Sequence, residues 1–195
     1  FLMFAAHDTT TAAITHTIYY LARNPDVKEK LMQEIDSVDL DGLLWEDQEK
    51  LPYMSMVFNE TQRIRPSVPL IPRRTIRACE MAGHKIPAHT MVFVMPRFTH
   101  WMEEYWSNPA KFDPERFSPE RAEHKKHAFQ FFPFGGGAHK CIGMHFAQME
   151  YRNFLFKFLK RFDFESRHAK QDVYMQTFPL PKPDDDMPIV MRRRR

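Results

Sequence analysis

The spacing of apolar and polar positions divides the chain into elements. Residues 2–23 read as a helix that stops at Asn24-Pro25, because proline disfavours helix in the residue before it. A second helix follows over about 25–38, with Pro25 in its first turn and Val27, Leu31 and Ile35 at i, i+4 spacing. A third covers about 51–64 and ends at Pro66. On it Tyr53, Met56, Val57, Glu60 and Ile64 share one face, so Glu60 interrupts an apolar stripe. Short apolar or β-branched runs over 68–77, 80–86 and 90–95, broken by Gly83 and Pro87, predict strands and turns. No period lasts through 106–140, which holds Pro109, Pro114, Pro119, Pro133 and three successive glycines. A loop this long in a compact domain is usually functional. A strong helix follows at about 142–160, with bulk from Phe146, Met149, Phe154, Phe156 and Leu159. The tail from 161 reads as short strands and turns. The pattern predicts a mainly α fold with a small β portion.

Composition adds little that patterning does not already imply. With 195 residues and 43% hydrophobic content the chain can bury a core, and one domain is expected. Eighteen Phe and thirteen Met suit a core built around a large apolar body. A net charge of +3, mostly from the closing RRRR, is too small to argue for nucleic acid; those arginines read as a solvated tail. Cys79 and Cys141 allow one disulfide but no disulfide framework. No apolar run approaches the ~20 residues that span a bilayer. The chain opens FLMFAAHDTTT, without an initiator Met and inside a helix. That opening predicts a fragment whose amino-terminal part, with any anchor, is missing.

The chemistry concentrates in FPFGGGAHKCIGMHFA. Gly135, Gly136 and Gly137 lack Cβ, so the backbone can turn sharply and lie close to a flat ligand. Cys141 then falls just before a helix, where first-turn amides and the helix dipole stabilise a thiolate. Such a thiolate is a soft ligand for haem iron. Other uses of these residues compete. His139, Cys141 and His145 offer a zinc site one ligand short. Either histidine could be the base of a catalytic cysteine. A phosphate loop would need a Gly-Lys-Ser/Thr ending that is absent. The segment favours the haem thiolate. Upstream, Glu60 has Arg63 within reach three residues on, and a carboxylate in an apolar stripe needs a full set of partners. In AAHDTTTAA, Asp8 or Thr9 could be a helix N-cap, since Asp and three Thr are unfavourable in a helix interior.

These stretches together resemble the cytochrome P-450 superfamily. Phe134, Gly137, His139, Cys141 and Gly143, spaced as in FGGGAHKCIG, resemble its haem-binding signature. His139 stands where most members have an Arg that contacts a haem propionate, and a histidine there resembles the sterol 14α-demethylase branch. Glu60-Thr61-Gln62-Arg63 resembles the ExxR motif. In FDPERF, Arg116 resembles the third member of that buried triad, which holds the loop before Cys141. Ala5-Ala6-His7-Asp8-Thr9-Thr10 resembles the distal motif, with Ala6 in place of the usual glycine. There the resemblance implies that Thr9 holds iron-bound oxygen while Asp8 relays protons. His7 too resembles the sterol branch. VPLIPR, residues 68–73, resembles the pocket-lining segment, with Val68, Leu70 and Ile71 facing substrate and Arg73 (or its neighbour Arg74) on a propionate.

The resemblance covers essentially the whole chain but only the second half of the usual fold: 1–195 as a single partial domain, the carboxyl-terminal, haem-binding half. It implies haem b (iron protoporphyrin IX) on Cys141, and monooxygenation of a hydrophobic, sterol- or lipid-like molecule. Electrons would come from NAD(P)H through a separate ferredoxin or flavoprotein reductase, docking near Lys140 and Arg152. A peroxide-using haem-thiolate enzyme and an inert haem-binding fragment are the competing readings. A bacterial parent would be cytoplasmic, and a microsomal one membrane-anchored.

Overall fold

A computed structural model describes residues 2–39, 43–167, 175–176, 181–184 and 187–194. The helices follow the proline punctuation. Helix α1 (Leu2–Arg23) gives way at Asn24, and α2 (Pro25–Asp36) starts on Pro25 and buries Val27, Leu31 and Ile35. Helix α3 (Pro52–Ile64) also opens on a proline. Helix α5 (Met144–Arg161) closes the bundle and buries Tyr151, Leu155, Phe156 and Leu159. These four helices share one core, with Leu21, Leu31, Met54, Val57, Leu155 and Phe156 among its wholly or nearly wholly buried members. At its centre, Thr17 Oγ1 of α1 lies 2.9 Å from Tyr151 Oη of α5 and 3.2 Å from Thr61 Oγ1 of α3. Buried hydroxyls thus satisfy one another where three helices meet.

Among the described residues the strands pair in four two-stranded antiparallel sheets. β1 (Ile71–Arg74) pairs with β4 (Met91–Val94), placing Ile71 opposite Val94. β2 (Cys79–Met81) and β3 (His84–Ile86) form a hairpin through Ala82 and Gly83, both at positive φ, the twist a two-residue hairpin turn favours. β5 (Phe162–Ser166) pairs with β8 (Ile189–Arg193), and β6 (Met175–Gln176) with β7 (Lys182–Pro183). The rest of the predicted strand-and-turn tail lies outside the described residues.

Several expectations are corrected. Trp45–Lys50 forms a 3-10 turn and Pro96–Thr99 a short helix, α4, neither of which the periodicity shows. Phe146 and Phe154 are exposed, so they do not supply core bulk for α5. Of the closing arginines, Arg192 and Arg193 are exposed, as expected of a solvated run, but they belong to β8. Arg192 pairs with Glu165 at 2.9 Å, and Arg194 with Asp36 at 2.5 Å and with Leu159 O at 2.7 Å. Cys79 and Cys141 are both free and exposed, so the allowed disulfide is not formed. Among the described residues no helix is long and apolar enough to cross a membrane.

Candidate functional site

The segment leading to Cys141 is held from beneath by charge. Glu60 and Arg63 are fully buried, and the carboxylate accepts two bonds from the guanidinium, Nε to Oε2 at 2.7 Å and Nη2 to Oε1 at 2.9 Å. Arg116, also buried, donates from Nε to Glu60 Oε1 at 3.2 Å, and Asp113 N–H donates to the same oxygen at 2.8 Å. Burial pushes the Glu60 carboxyl up, against the hydrogen bonds of Arg63 and Asp113 and the charge of Arg116. The remaining guanidinium protons reach irregular backbone. Arg63 bonds His100 O and Pro109 O at 2.8 Å each, and Arg116 bonds Asn108 O at 2.7 Å as well as Ser107 O. A stretch without secondary structure of its own therefore gains fixed acceptor positions.

Sequence reading missed the second carboxylate of this network. Glu123 accepts from Arg116 Nη1 at 3.2 Å, Arg121 Nη2 at 2.6 Å and Ser107 Oγ at 2.9 Å. Burial pushes its carboxyl up, but the hydrogen bonds from Arg121 and Ser107 and the charge of Arg116 outweigh it and hold the group at about 2.

Above this network the chain turns through Phe134–Cys141. Gly135 and Gly137 sit at φ of 70° and 65°, where a side chain would be strained. Cys141 N–H closes the turn on Phe134 O at 2.9 Å, and Gly135 N–H bonds Phe132 O at 3.0 Å. Gly143 caps α5, and a Cβ there would stand 3.9 Å from Cys141 Sγ, an ordinary contact. Cys141 thus leaves its thiol exposed at the mouth of α5.

That thiol borders a mostly apolar cavity of about 370 Å³. Its walls bring together Thr9 and Ala13 of α1, Phe58 and Gln62 of α3, Val68, Ile71 and Arg73, and Phe134, His139 and Cys141. The distal, pocket-lining and cysteine segments therefore converge on one space. Thr10 and Ser67 line it too, without a signal in the sequence reading beyond their neighbours. Leu70 and Arg74 are not in the wall; Arg74 donates to His89 O at 3.2 Å. Arg73 Nη1 bonds Pro72 O at 2.8 Å.

The distal pair splits. Thr9 Oγ1 donates to Ala5 O at 2.7 Å, inside a helix that begins at Leu2, so neither Thr9 nor Asp8 is an N-cap. Asp8 lies outside the cavity wall, 2.7 Å from His7 Nδ1. Lys140 is exposed, whereas Arg152 is half-buried and donates to Ser55 Oγ at 3.2 Å. Among the described residues no group of three or more His, Cys, Asp or Glu could hold a metal ion, so His139 and His145 do not complete a zinc site with Cys141.

The sequence profile described as Cytochrome P450 matches residues 1–188. The chain belongs to the cytochrome P450 family. It is 40% identical over 194 residues to cytochrome P450 136 of Mycobacterium tuberculosis, covering all of this chain and 39% of that protein. To cytochrome P450 4V2 of Homo sapiens it is 37% identical over 196 residues, covering 98% of this chain and 37% of the relative. A solved structure described as retinoic acid bound cyanobacterial CYP120A1 superposes with a TM-score of 0.92 at 30% identity, over 98% of this chain and 44% of that one. The chain thus spans about two fifths of the length of the P450 proteins it matches. Its mainly α architecture with a small β portion is that of part of the P450 fold.

Proposed function

We propose that residues 1–195 are the haem-binding, carboxyl-terminal part of a longer haem-thiolate monooxygenase. The observation that carries this reading is the exposed Cys141, set in a glycine turn and lining an apolar cavity together with Thr9. The donor chemistry fits haem b. A porphyrin would bring four nitrogen ligands of its own, so the protein would need to offer one soft donor rather than a cluster. When bound, the haem would supply the redox chemistry that places one atom of dioxygen in a C–H bond and releases the other as water.

The chain's own residues would do the rest. Cys141 is the thiolate ligand; Phe134, Gly137 and Gly143 shape its turn, and His139 and Arg73 take the haem carboxylates. Thr9 donates its proton to Ala5 O, leaving its oxygen as an acceptor at the cavity. Asp8, bonded to His7 at the exposed helix face, exchanges protons with solvent. Glu60, Arg63 and Arg116 hold the segment that carries the turn. The Asp8-Thr9 pair favours dioxygen over peroxide, with electrons delivered from NAD(P)H by a separate ferredoxin or flavoprotein reductase. The apolar wall at Val68, Ile71 and Phe58 suits a bulky lipid-like substrate. The retinoic acid bound by the cyanobacterial relative points to the same class, and His7 and His139 to its sterol branch.

The test is the absorption spectrum of the reduced, carbon-monoxide-bound protein, for this chain and for a full-length polypeptide containing it, each supplied with haem. A strongly red-shifted Soret band that Cys141→Ala abolishes is expected from the full-length polypeptide. A histidine-type spectrum unmoved by Cys141→Ala overturns the reading. Haem uptake by the full-length polypeptide alone identifies the isolated chain as an inert fragment. Turnover driven by peroxide but not by a reductase would establish the peroxide-using alternative.

A further inference from the structure

His100 is a buried residue that the proposed mechanism does not use, and its hydrogen bonds point in two directions. It caps α4, and its carbonyl accepts from Arg63 Nη1 at 2.8 Å. Its ring, with no solvent exposure, packs against Trp106, Phe131 and Phe132. Nε2 of that ring lies 3.1 Å from the backbone N–H of Phe132. A backbone N–H can only donate, so Nε2 is the acceptor and the ring is neutral, with its proton on Nδ1. Burial, then the charge of Arg63, push the ring down to about 3, which keeps that acceptor in place at any ordinary pH.

Phe132 is where the turn toward Cys141 begins. Its carbonyl takes Gly135 N–H at 3.0 Å, and two residues on, Phe134 O takes Cys141 N–H at 2.9 Å. Hydrogen bonds therefore join Glu60 through Arg63 to the His100 backbone and the His100 ring to Phe132, from which two residues of covalent chain lead to Phe134 and its bond to Cys141. We infer that His100 is a positioning residue, the side chain through which the buried Glu60–Arg63 pair sets the height and tilt of the cysteine turn. It does not line the cavity, and it acts on the turn by holding Phe132 N–H. The role in ligation rests on the haem-thiolate reading above; the role in holding the turn does not.

The experiment compares His100→Phe with His100→Gln in the haem-loaded full-length polypeptide. Phenylalanine keeps the ring contacts and removes the acceptor, whereas the glutamine oxygen reaches roughly the position of Nε2 and can accept. Amide hydrogen exchange over 131–141 is expected to quicken about tenfold in His100→Phe, the scale of one stranded buried N–H, with α3 and α5 unchanged. The thiolate-type carbon-monoxide band should decay faster in the same variant, and His100→Gln should restore both. Unchanged exchange over 131–141, or a loosening of α3 as large as that of the turn without rescue by glutamine, overturns the inference. Should His100→Phe not fold, His100→Asn against His100→Gln gives the same comparison, since the two amides differ in reach alone. Equal exchange in those two overturns it as well. If no thiolate band forms in the unsubstituted protein, the haem reading fails while the exchange measurement still decides the role of His100.

Discussion

Arg116 joins two carboxylates that burial would otherwise make costly. Its guanidinium meets Glu60 at 3.2 Å and Glu123 at 3.2 Å, with nearly no exposed surface on any of the three. Removing one member of a buried ion network destabilises by more than the pair contributes, because the remaining charge loses its compensation. Arg116→Met should therefore lower the unfolding free energy by about 3–5 kcal/mol. Glu123→Gln, which leaves Arg116 its bond to Glu60, should cost about 1–3 kcal/mol. Urea titrations of the two variants check the ranking, and a milder effect of Arg116→Met than of Glu123→Gln would refute it. The Glu60–Arg63 half of this network was readable from i, i+3 spacing within an apolar stripe. Glu123 was not, because a carboxylate in an aperiodic segment leaves no pattern to interrupt.

At the scale of elements, α3 shows how a helix end can be completed from elsewhere. Its N-cap is Leu51, whose side chain cannot accept a hydrogen bond, although the first helical amides need partners. Glu34 of α2 supplies them. Its carboxylate takes Tyr53 N–H at 2.6 Å and Met54 N–H at 2.8 Å, a negative charge at the positive end of the helix. Burial raises the Glu34 carboxyl, against the two amide bonds that favour its ionised form. Glu34→Ala should cost about 1–2 kcal/mol, the usual effect of a lost cap, and should fray the first turn of α3 in hydrogen exchange. Stability and exchange equal to those of the unsubstituted chain would show the contact to be idle. The α5 helix and the burial of Phe156 and Leu159 follow the sequence reading, but two of its expected core positions do not, for a related reason. Phe146 and Phe154 are apolar and close in sequence to the core positions, but the packing of α1 and α3 selects the face that carries Tyr151, Leu155 and Leu159.

For the whole molecule, the buried histidines set a pH limit. Burial, then Arg65, push His16 down to about 4, and burial with Arg63 pushes His100 to about 3. In the unfolded chain both sit near 6.5. As pH falls below that value the unfolded state takes up protons that the folded state refuses, so stability declines from about pH 6.5 toward 4 for His16 and 3 for His100. Each contributes a slope of about 1.4 kcal/mol per pH unit. Glu123 acts lower, its contribution present above the ordinary carboxylate range and lost as pH falls toward about 2. Denaturation midpoints that stay flat between pH 6 and 4 would contradict this, and His16→Phe should remove one histidine's share of the slope. What the amino-acid order determined by itself was local: helix ends at Pro25 and Pro66, the Glu60–Arg63 pair, and a cysteine placed by glycines before a helix. These features depend on hydrogen bonds and sterics spanning three or four residues, and residue spacing records them directly. Tertiary structure alone decided that Glu34 caps α3 from 19 residues away and that His100 holds Phe132 across 32. Each partner there is chosen by how the helices pack, and no period in the chain encodes that choice.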